Sequence, residues 1–155
     1  MPTILREEPA TPCAILILAA SVLHLRFYRE TLTGFLNCTV DTTPSAEYAF
    51  ELAIRKPYNL FLFELNSAVI TGQVLYGLLR KVYDEAATGP KQLPPIIFLA
   101  DEINTHTSVT AEIGRQPGVR GILKSPPAIQ RLIEKVSGCV DSRHLKPVAR
   151  GIRST

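Results

Sequence analysis

The chain has 155 residues, of which 46% are hydrophobic and 20% are charged, and this size and composition suit one globular domain with a sizeable core. No apolar run reaches the ~20 residues that span a bilayer, and the stretch before the apolar run at 14–20 is acidic rather than basic, unlike a secretory signal. We therefore expect a cytoplasmic location by elimination. The net charge is +3, and the segment 141–155 alone carries +3, because it contains four Lys or Arg residues and one acid, Asp141. The rest of the chain therefore predicts no basic surface for nucleic acid.

Apolar runs and amphipathic patterns alternate along the chain. The run at 14–20 predicts a strand buried on both faces, and apolar residues then recur at helical spacing from Val22 to Leu36. The alternation continues with a strand from Thr39, a helix capped by Ser45 and ended by Pro57, and the strand Leu60–Leu65. A helix is then predicted over Gln73–Tyr83, with Leu75, Leu78, Leu79 and Val82 facing inward, followed by the strand Ile96–Ala100 and the helix Thr107–Ile113. The last two predicted elements are the strand Gly118–Leu123 and a helix that is opened by Ser125 and Pro126 and ended by Gly138.

Five strand–helix units in succession predict a parallel sheet covered on both faces, because parallel crossovers must carry helices. The expected fold is an α/β, flavodoxin-like three-layer α/β/α sandwich. We expect an N-terminal arm at 1–12, one domain at 13–140 and a basic C-terminal tail or linker at 141–155.

Three cysteines are scattered along the chain, without a C-x-x-C pair. This spacing favours neither a disulfide framework nor a structural zinc site. Cys13 and Cys38 flank apolar runs and are interpreted as small buried hydrophobes. His24 and His144 have no neighbouring ligand and are interpreted as surface residues, so no metal site is predicted.

The segment 58–72, YNLFLFELNSAVITG, is an apolar strand that brings one acid, Glu64, to a turn, with Gly72 eight residues later. It resembles the phosphoacceptor loop of bacterial response-regulator receiver domains, in which an apolar strand ends in Asp-Leu-x-Met-Pro and a glycine follows. Here Glu64 stands at the acceptor position, and Ser67-Ala68 replaces Met-Pro. The resemblance implies a CheY-like fold over 13–140, with a five-stranded parallel sheet in the order 2-1-3-4-5.

In open α/β sheets functional groups gather beyond the carboxyl ends of the strands, and the other receiver positions can be placed there by spacing. The acid pair that holds Mg²⁺ in receivers falls on Ala19 and Ala20, and the strand-4 hydroxyl falls on Ala100. The lysine falls on Ser125, although Lys124 precedes it and a register slip would exchange the two. The switch aromatic falls on Ile122.

Methyl groups supply none of the oxygen ligands that Mg²⁺ needs, and phosphoryl transfer depends on charge neutralisation by metal and lysine. The pattern therefore predicts no phosphorylation from acetyl phosphate, no cofactor and no catalytic residue. Nucleotide-binding glycine motifs are absent. One hypothesis is that Glu64 mimics a phosphorylated aspartate; the alternative, which we favour, is that an inactive site tolerates a polar residue at this turn.

What the resemblance implies is a non-catalytic pseudo-receiver, a protein–protein interaction module of bacterial two-component signal transduction. Its partners would be a kinase, another regulator or a scaffold, and a homodimer is plausible by analogy with receivers. The face that receivers use is formed by the last two helices and the strand between them. In this chain that face draws on Glu112, Arg115, Arg120, Gln130, Arg131 and Glu134.

Two other readings remain open. One is a phosphorelay receiver with displaced chemistry that uses Glu64, Asp101 and Lys124. The other is a nucleic-acid-associated regulator that binds through the basic tail, for which four charges without aromatic residues are a weak signature. A hydrolytic triad of Ser21, Asp101 and His106 is disfavoured, because the nucleophile elbow is absent and Ser21 suits the N-cap of the first helix.

Overall fold

The computed structural model describes residues 13–65, 70–85, 92–100 and 112–146. The strands are β1 Cys13–Leu18, β2 Cys38–Thr43, β3 Leu60–Glu64, β4 Ile96–Ala100 and β5 Val119–Lys124. The helices with bounds in these ranges are α1 Val22–Phe35, α2 Ala46–Arg55, α3 Gly72–Glu85 and α4 Ile129–Ser137, followed by a short 3-10 turn at Ser142–His144. None of the helices within the described ranges is long and apolar enough to cross a membrane.

All neighbouring strands pair in parallel, in the order β2-β1-β3-β4-β5. The predicted flavodoxin-like, CheY-like fold and its strand order are therefore confirmed. Every residue of β1 and β4 is buried, as expected for strands covered on both faces. The edge strand β2 is more polar and buries only Val40 and Thr43.

Helices cover both faces of the sheet and divide the core into two clusters. On one side, here called the α1–α4 face, α1 and α4 pack over alternate strand residues such as Ile15, Leu62 and Leu123. On the other, the α2–α3 face, α2 and α3 pack over the intervening residues such as Leu16 and Phe63. Because side chains alternate along a strand, the parity of a residue decides which face it reaches.

The predicted helix N-caps and helix starts are only partly correct. Ser21 and Ser45 are N-caps whose side chains accept hydrogen bonds from the backbone amides of His24 and Tyr48. The predicted N-cap at Ser125 is wrong, since α4 begins at Ile129 after Ala128 and Ser125 has a different partner. The predicted helix Thr107–Ile113 lies mostly outside the described residues, and residues 112–114 are helical.

The inward face of α3 also differs from the prediction. Leu78 is 43% exposed, whereas Tyr76 and Tyr83 are buried beside Leu75 and Leu79. Each tyrosine can face inward because its hydroxyl donates to a backbone carbonyl, that of Pro94 for Tyr76 and that of Ala53 for Tyr83. Periodicity alone favoured leucine over tyrosine at these positions.

The first part of the predicted tail packs against the domain. Leu145 is buried in the core of the α1–α4 face and forms an antiparallel bridge with Leu36. Lys146 caps the end of α1, with its backbone amide bonded to the Phe35 carbonyl and its Nζ to the Thr33 carbonyl. His144 is 6% exposed, so its interpretation as a surface residue is wrong. The packed part of the chain thus continues to residue 146.

A disulfide joins Cys13 and Cys38, which are direct partners in the register of β1 and β2. The expectation that no disulfide forms is therefore wrong. It rested on sequence spacing, which does not reveal that the two residues lie side by side in neighbouring strands. Cys13 is buried and Cys38 is half-buried.

Candidate functional site

Glu64 lies at the carboxyl end of β3, in the centre of the sheet, and is half-buried. Its Oε1 accepts a hydrogen bond of 2.7 Å from the backbone amide of Ala20, in the loop between β1 and α1. Gly72 opens α3 against the end of β3, and a Cβ at position 72 would run into the Glu64 carbonyl group. The glycine of the motif therefore has a packing role at the same strand end.

The two alanines at the acid-pair positions lie in different environments. Ala19 is fully buried in the core of the α1–α4 face, and its amide donates to the Thr43 carbonyl at the end of β2, at 3.3 Å. Ala20 is exposed, and its amide binds Glu64. Among the described residues there is no group of three or more His, Cys, Asp or Glu side chains that would hold a metal ion. The described hydrogen-bond partner of the Glu64 carboxylate is thus a backbone amide.

Lys124 is the last residue of β5 and Ser125 follows it, next to Ala100, which is buried. Lys124 is the register partner of Ala100, and the Ser125 amide donates to the Ala100 carbonyl at 2.9 Å. Residues two positions apart on a strand point to the same face of the sheet. Glu64 is two positions after Leu62, and Ser125 is two positions after Leu123, and both leucines lie in the core of the α1–α4 face. Ser125, rather than the exposed Lys124, is therefore the residue that shares a face with Glu64.

Tyr28 is the site residue that the sequence analysis missed. It is fully buried on α1, and its hydroxyl lies 2.7 Å from the Ser125 Oγ, so the pair is hydrogen-bonded. Burial raises the pKa of Tyr28 to about 12; the hydrogen bond to Ser125 opposes this rise, and the charge of Glu64 adds to it. Helical spacing marked Tyr28 only as a core position, although a buried tyrosine hydroxyl requires a partner.

The remaining predicted positions are placed as follows. Ile122 is half-buried and packs against the core of the α2–α3 face, where it offers no hydroxyl. His24 is half-buried one turn before Tyr28, with ring centroids 6.4 Å apart. Asp101 and His106 lie outside the described residues. The six residues of the predicted interaction face are all exposed: Glu112, Arg115, Arg120, Gln130, Arg131 and Glu134.

Two hydrogen bonds tie the strand ends of the sheet to the neighbouring segments. One hydrogen bond joins β3 to the β1–α1 loop, and another joins α1 to the segment that follows β5. Neither pair provides a nucleophile with an adjacent base, because the neighbour of Ser125 is a tyrosine whose pKa is raised to about 12.

Comparison with solved structures gives the class of fold. Chemotaxis protein CheY4 of Vibrio cholerae matches with a TM-score of 0.69 and 18% identity, over 84% of this chain and 100% of that chain. The signal receiver domain of an HD domain-containing protein from Pseudomonas fluorescens Pf-5 matches with a TM-score of 0.68 and 16% identity, over 83% and 94%. The REC domain of AraT, a response regulator from Geobacillus stearothermophilus, matches with a TM-score of 0.67 and 20% identity, over 83% and 93%.

The chain therefore has the fold of response-regulator receiver domains, as the loop around Glu64 predicts. No protein-family model matches the chain, and no curated protein matches it. At 16–20% identity the structural likeness establishes the fold alone.

Proposed function

We propose that this protein is a pseudo-receiver: a non-catalytic protein–protein interaction module of two-component signalling that works in the cytoplasm without phosphorylation. The observation that carries the proposal is the bond between Glu64 Oε1 and the Ala20 amide. It satisfies the carboxylate with a neutral donor, at the positions where receivers would place a second carboxylate and Mg²⁺. Phosphoryl transfer would also use a hydroxyl at the end of strand 4, which Ala100 lacks, and a positive charge at the end of strand 5, which Ser125 lacks.

The first test is phosphorylation itself. Incubation with acetyl phosphate and Mg²⁺ is expected to leave the intact mass unchanged, because the Glu64 carboxylate is bonded to a backbone amide and no group of three or more His, Cys, Asp or Glu side chains among the described residues could hold a metal ion. A conventional receiver domain treated in parallel serves as the positive control. A stable gain of one phosphoryl group would contradict the proposal and favour a phosphorelay receiver with displaced chemistry.

The second test concerns the interaction face. We infer that partners, a kinase, a regulator or a scaffold, bind the exposed surface that includes Arg120 and Arg131, and that a second copy of the chain is also a candidate partner. A pull-down from nuclease-treated lysate should recover signalling proteins, and Arg120→Glu with Arg131→Glu should reduce their recovery. Arg55→Glu is the matched control, since Arg55 is an exposed arginine on α2, at the other face of the sheet.

Two outcomes would contradict this assignment. Equal recovery with the face variant and the Arg55 control would place binding elsewhere. Recovery that occurs only without nuclease would favour the nucleic-acid reading of the tail. In the described part of the tail, Arg143 is bonded to Asp141 and Lys146 to the end of α1.

A further inference from the structure

We propose that Cys13 and Cys38 form a reversible thiol–disulfide pair that fixes the edge strand β2 to the sheet, so that the order of this edge depends on redox state. The two residues are register partners at the first positions of β1 and β2, with a Cα–Cα distance of 4.6 Å. They are 25 residues apart in sequence, so the bond closes a loop that contains β1, α1 and the first residue of β2. The proposal is independent of the pseudo-receiver assignment.

The edge strand has few other apolar contacts to hold it. Of its six residues only Val40 and Thr43 are buried, whereas all five residues of β4 are buried. A polar cluster fastens its middle, where Asp41 accepts hydrogen bonds from Lys56 Nζ at 2.8 Å and from Tyr58 Oη at 2.6 Å. At its beginning the covalent bond to Cys13 adds to the strand pairing and to the hydrogen bond that Thr39 Oγ1 donates to the Cys13 carbonyl at 3.3 Å. Loss of the covalent bond should therefore reduce the local stability of β2 before that of the central strands.

The chemistry requires only a small-molecule thiol–disulfide couple. In the oxidising direction the two thiols lose two protons and two electrons and form the S–S bond, while a small disulfide such as oxidised glutathione is cleaved to two thiols. In the reducing direction a small thiolate attacks one sulfur through a mixed disulfide and the reaction reverses. Cys38 is the accessible end, because it is half-buried on the outermost strand, whereas Cys13 is buried.

Cys139 offers a matched control within the same chain. It is the free cysteine of the described residues, it is half-buried like Cys38, and it packs against the core of the same α1–α4 face. Burial raises the pKa of its thiol, which disfavours the reactive thiolate. Cys139→Ala should therefore leave the redox response intact, whereas Cys38→Ala should abolish it.

The experiment compares the full chain and the two variants after treatment with oxidised glutathione or dithiothreitol. In the oxidised wild type, mass spectrometry without prior reduction should find tryptic peptides 7–26 and 30–55 linked, with Cys139 open to alkylation. Dithiothreitol should lower the Tm of the wild type and of Cys139→Ala by about 5–15 °C, as expected for a closed loop of this length. The Tm of Cys38→Ala should not respond.

Hydrogen exchange tests where the effect is located. Reduction of the wild type should speed amide exchange in β2 at least about tenfold, while the amides of β4 stay protected. Since this comparison needs no substitution, it holds even if Cys38→Ala folds poorly. A link between Cys38 and Cys139, glutathione attached to Cys38 without the Cys13 link, an unchanged Tm, or equal loss of protection in β2 and β4 would each overturn the proposal.

Discussion

At position 64 the length of the side chain decides the local chemistry. Glutamate at the end of β3 reaches the amide of Ala20, at 2.7 Å, and so fastens the β1–α1 loop to the middle of the sheet. A carboxylate that accepts from a backbone amide is stabilising, and removing it leaves that amide without its partner. The residue therefore has a structural reason to carry a side-chain oxygen acceptor of this length, independent of any mimicry of a phosphorylated aspartate.

We predict that Glu64→Ala lowers the free energy of unfolding by about 1 kcal/mol, whereas Glu64→Gln, which keeps the Oε1 acceptor, lowers it by less than half of that. Denaturant unfolding of the two variants measures the difference. Equal losses would show that the negative charge, and not the hydrogen bond to Ala20, is what the loop needs. Unchanged partner affinity in Glu64→Ala would in addition refute the hypothesis of a phosphoaspartate mimic.

Spacing along the chain assigns residues to the receiver positions, which stays a prediction, and it does not predict the hydrogen-bond partners of those residues. Glu64 was recognised from the strand and glycine around it, yet its bond to Ala20 depends on how two loops meet. Tyr28 and Ser125 are 97 positions apart, and Cys13 and Cys38 are 25 apart. These pairs form only when the crossovers bring distant segments together, so local patterns carry no signal for them.

At the scale of elements, α3 contains two glycines with opposite requirements. Gly72 is buried at the first residue, where a Cβ would lie 3.1 Å from the Phe63 Cβ and closer still to the Glu64 carbonyl. Gly77 is exposed in the second turn, and a Cβ there would meet nothing within 4 Å. The first glycine lets the helix approach β3, while the second only weakens the helix.

Gly72→Ala should therefore lower the free energy of unfolding by about 1–3 kcal/mol, because backbone atoms of β3 must move. Gly77→Ala should raise it by up to about 1 kcal/mol through helix propensity. Thermal or denaturant unfolding of both variants provides the measurement, with each serving as the control for the other. Similar effects of the two substitutions would mean that α3 does not pack against the end of β3 as closely as described.

Strands and helices could be predicted from the sequence where a regular spacing of apolar residues or an N-cap residue defines them. The buried strands were found because apolar runs such as 14–18 are continuous, and the caps at Ser21 and Ser45 were found because each binds an amide three residues on. The cap at Ser125 was wrong because Tyr28, a tertiary partner, engages its hydroxyl instead. Tertiary contacts override local signals at such positions.

On the scale of the whole molecule, the order of the sheet followed from the resemblance, while the polar atoms inside the core did not follow from any pattern. Several tyrosines are buried with their hydroxyls bonded to neighbouring segments: Tyr28 to Ser125, Tyr58 to Asp41, Tyr76 to Pro94 and Tyr83 to Ala53. Burial is the main cause that raises the pKa of each of them, to about 12 for Tyr28 and Tyr83. These hydrogen bonds connect α1, α2, α3 and the edge strand to neighbouring segments. Deprotonation of the tyrosine hydroxyls should therefore lower the stability of the whole domain.

The raised pKa values predict how stability changes with alkaline pH. The unfolded chain releases these protons near pH 10.0, whereas folded Tyr28 and Tyr83 retain theirs to about pH 12. The stabilisation is therefore fully present below pH 10.0 and is lost as the pH rises toward 12, at about 2 kcal/mol for each of the two groups. Tyr28→Phe removes one titrating group, so its stability should fall less steeply between about pH 10 and pH 12 than that of the wild type. Denaturant midpoints across this range, followed together with tyrosinate absorbance, measure both slopes; parallel slopes would show that Tyr28 titrates alike in the folded and unfolded chain.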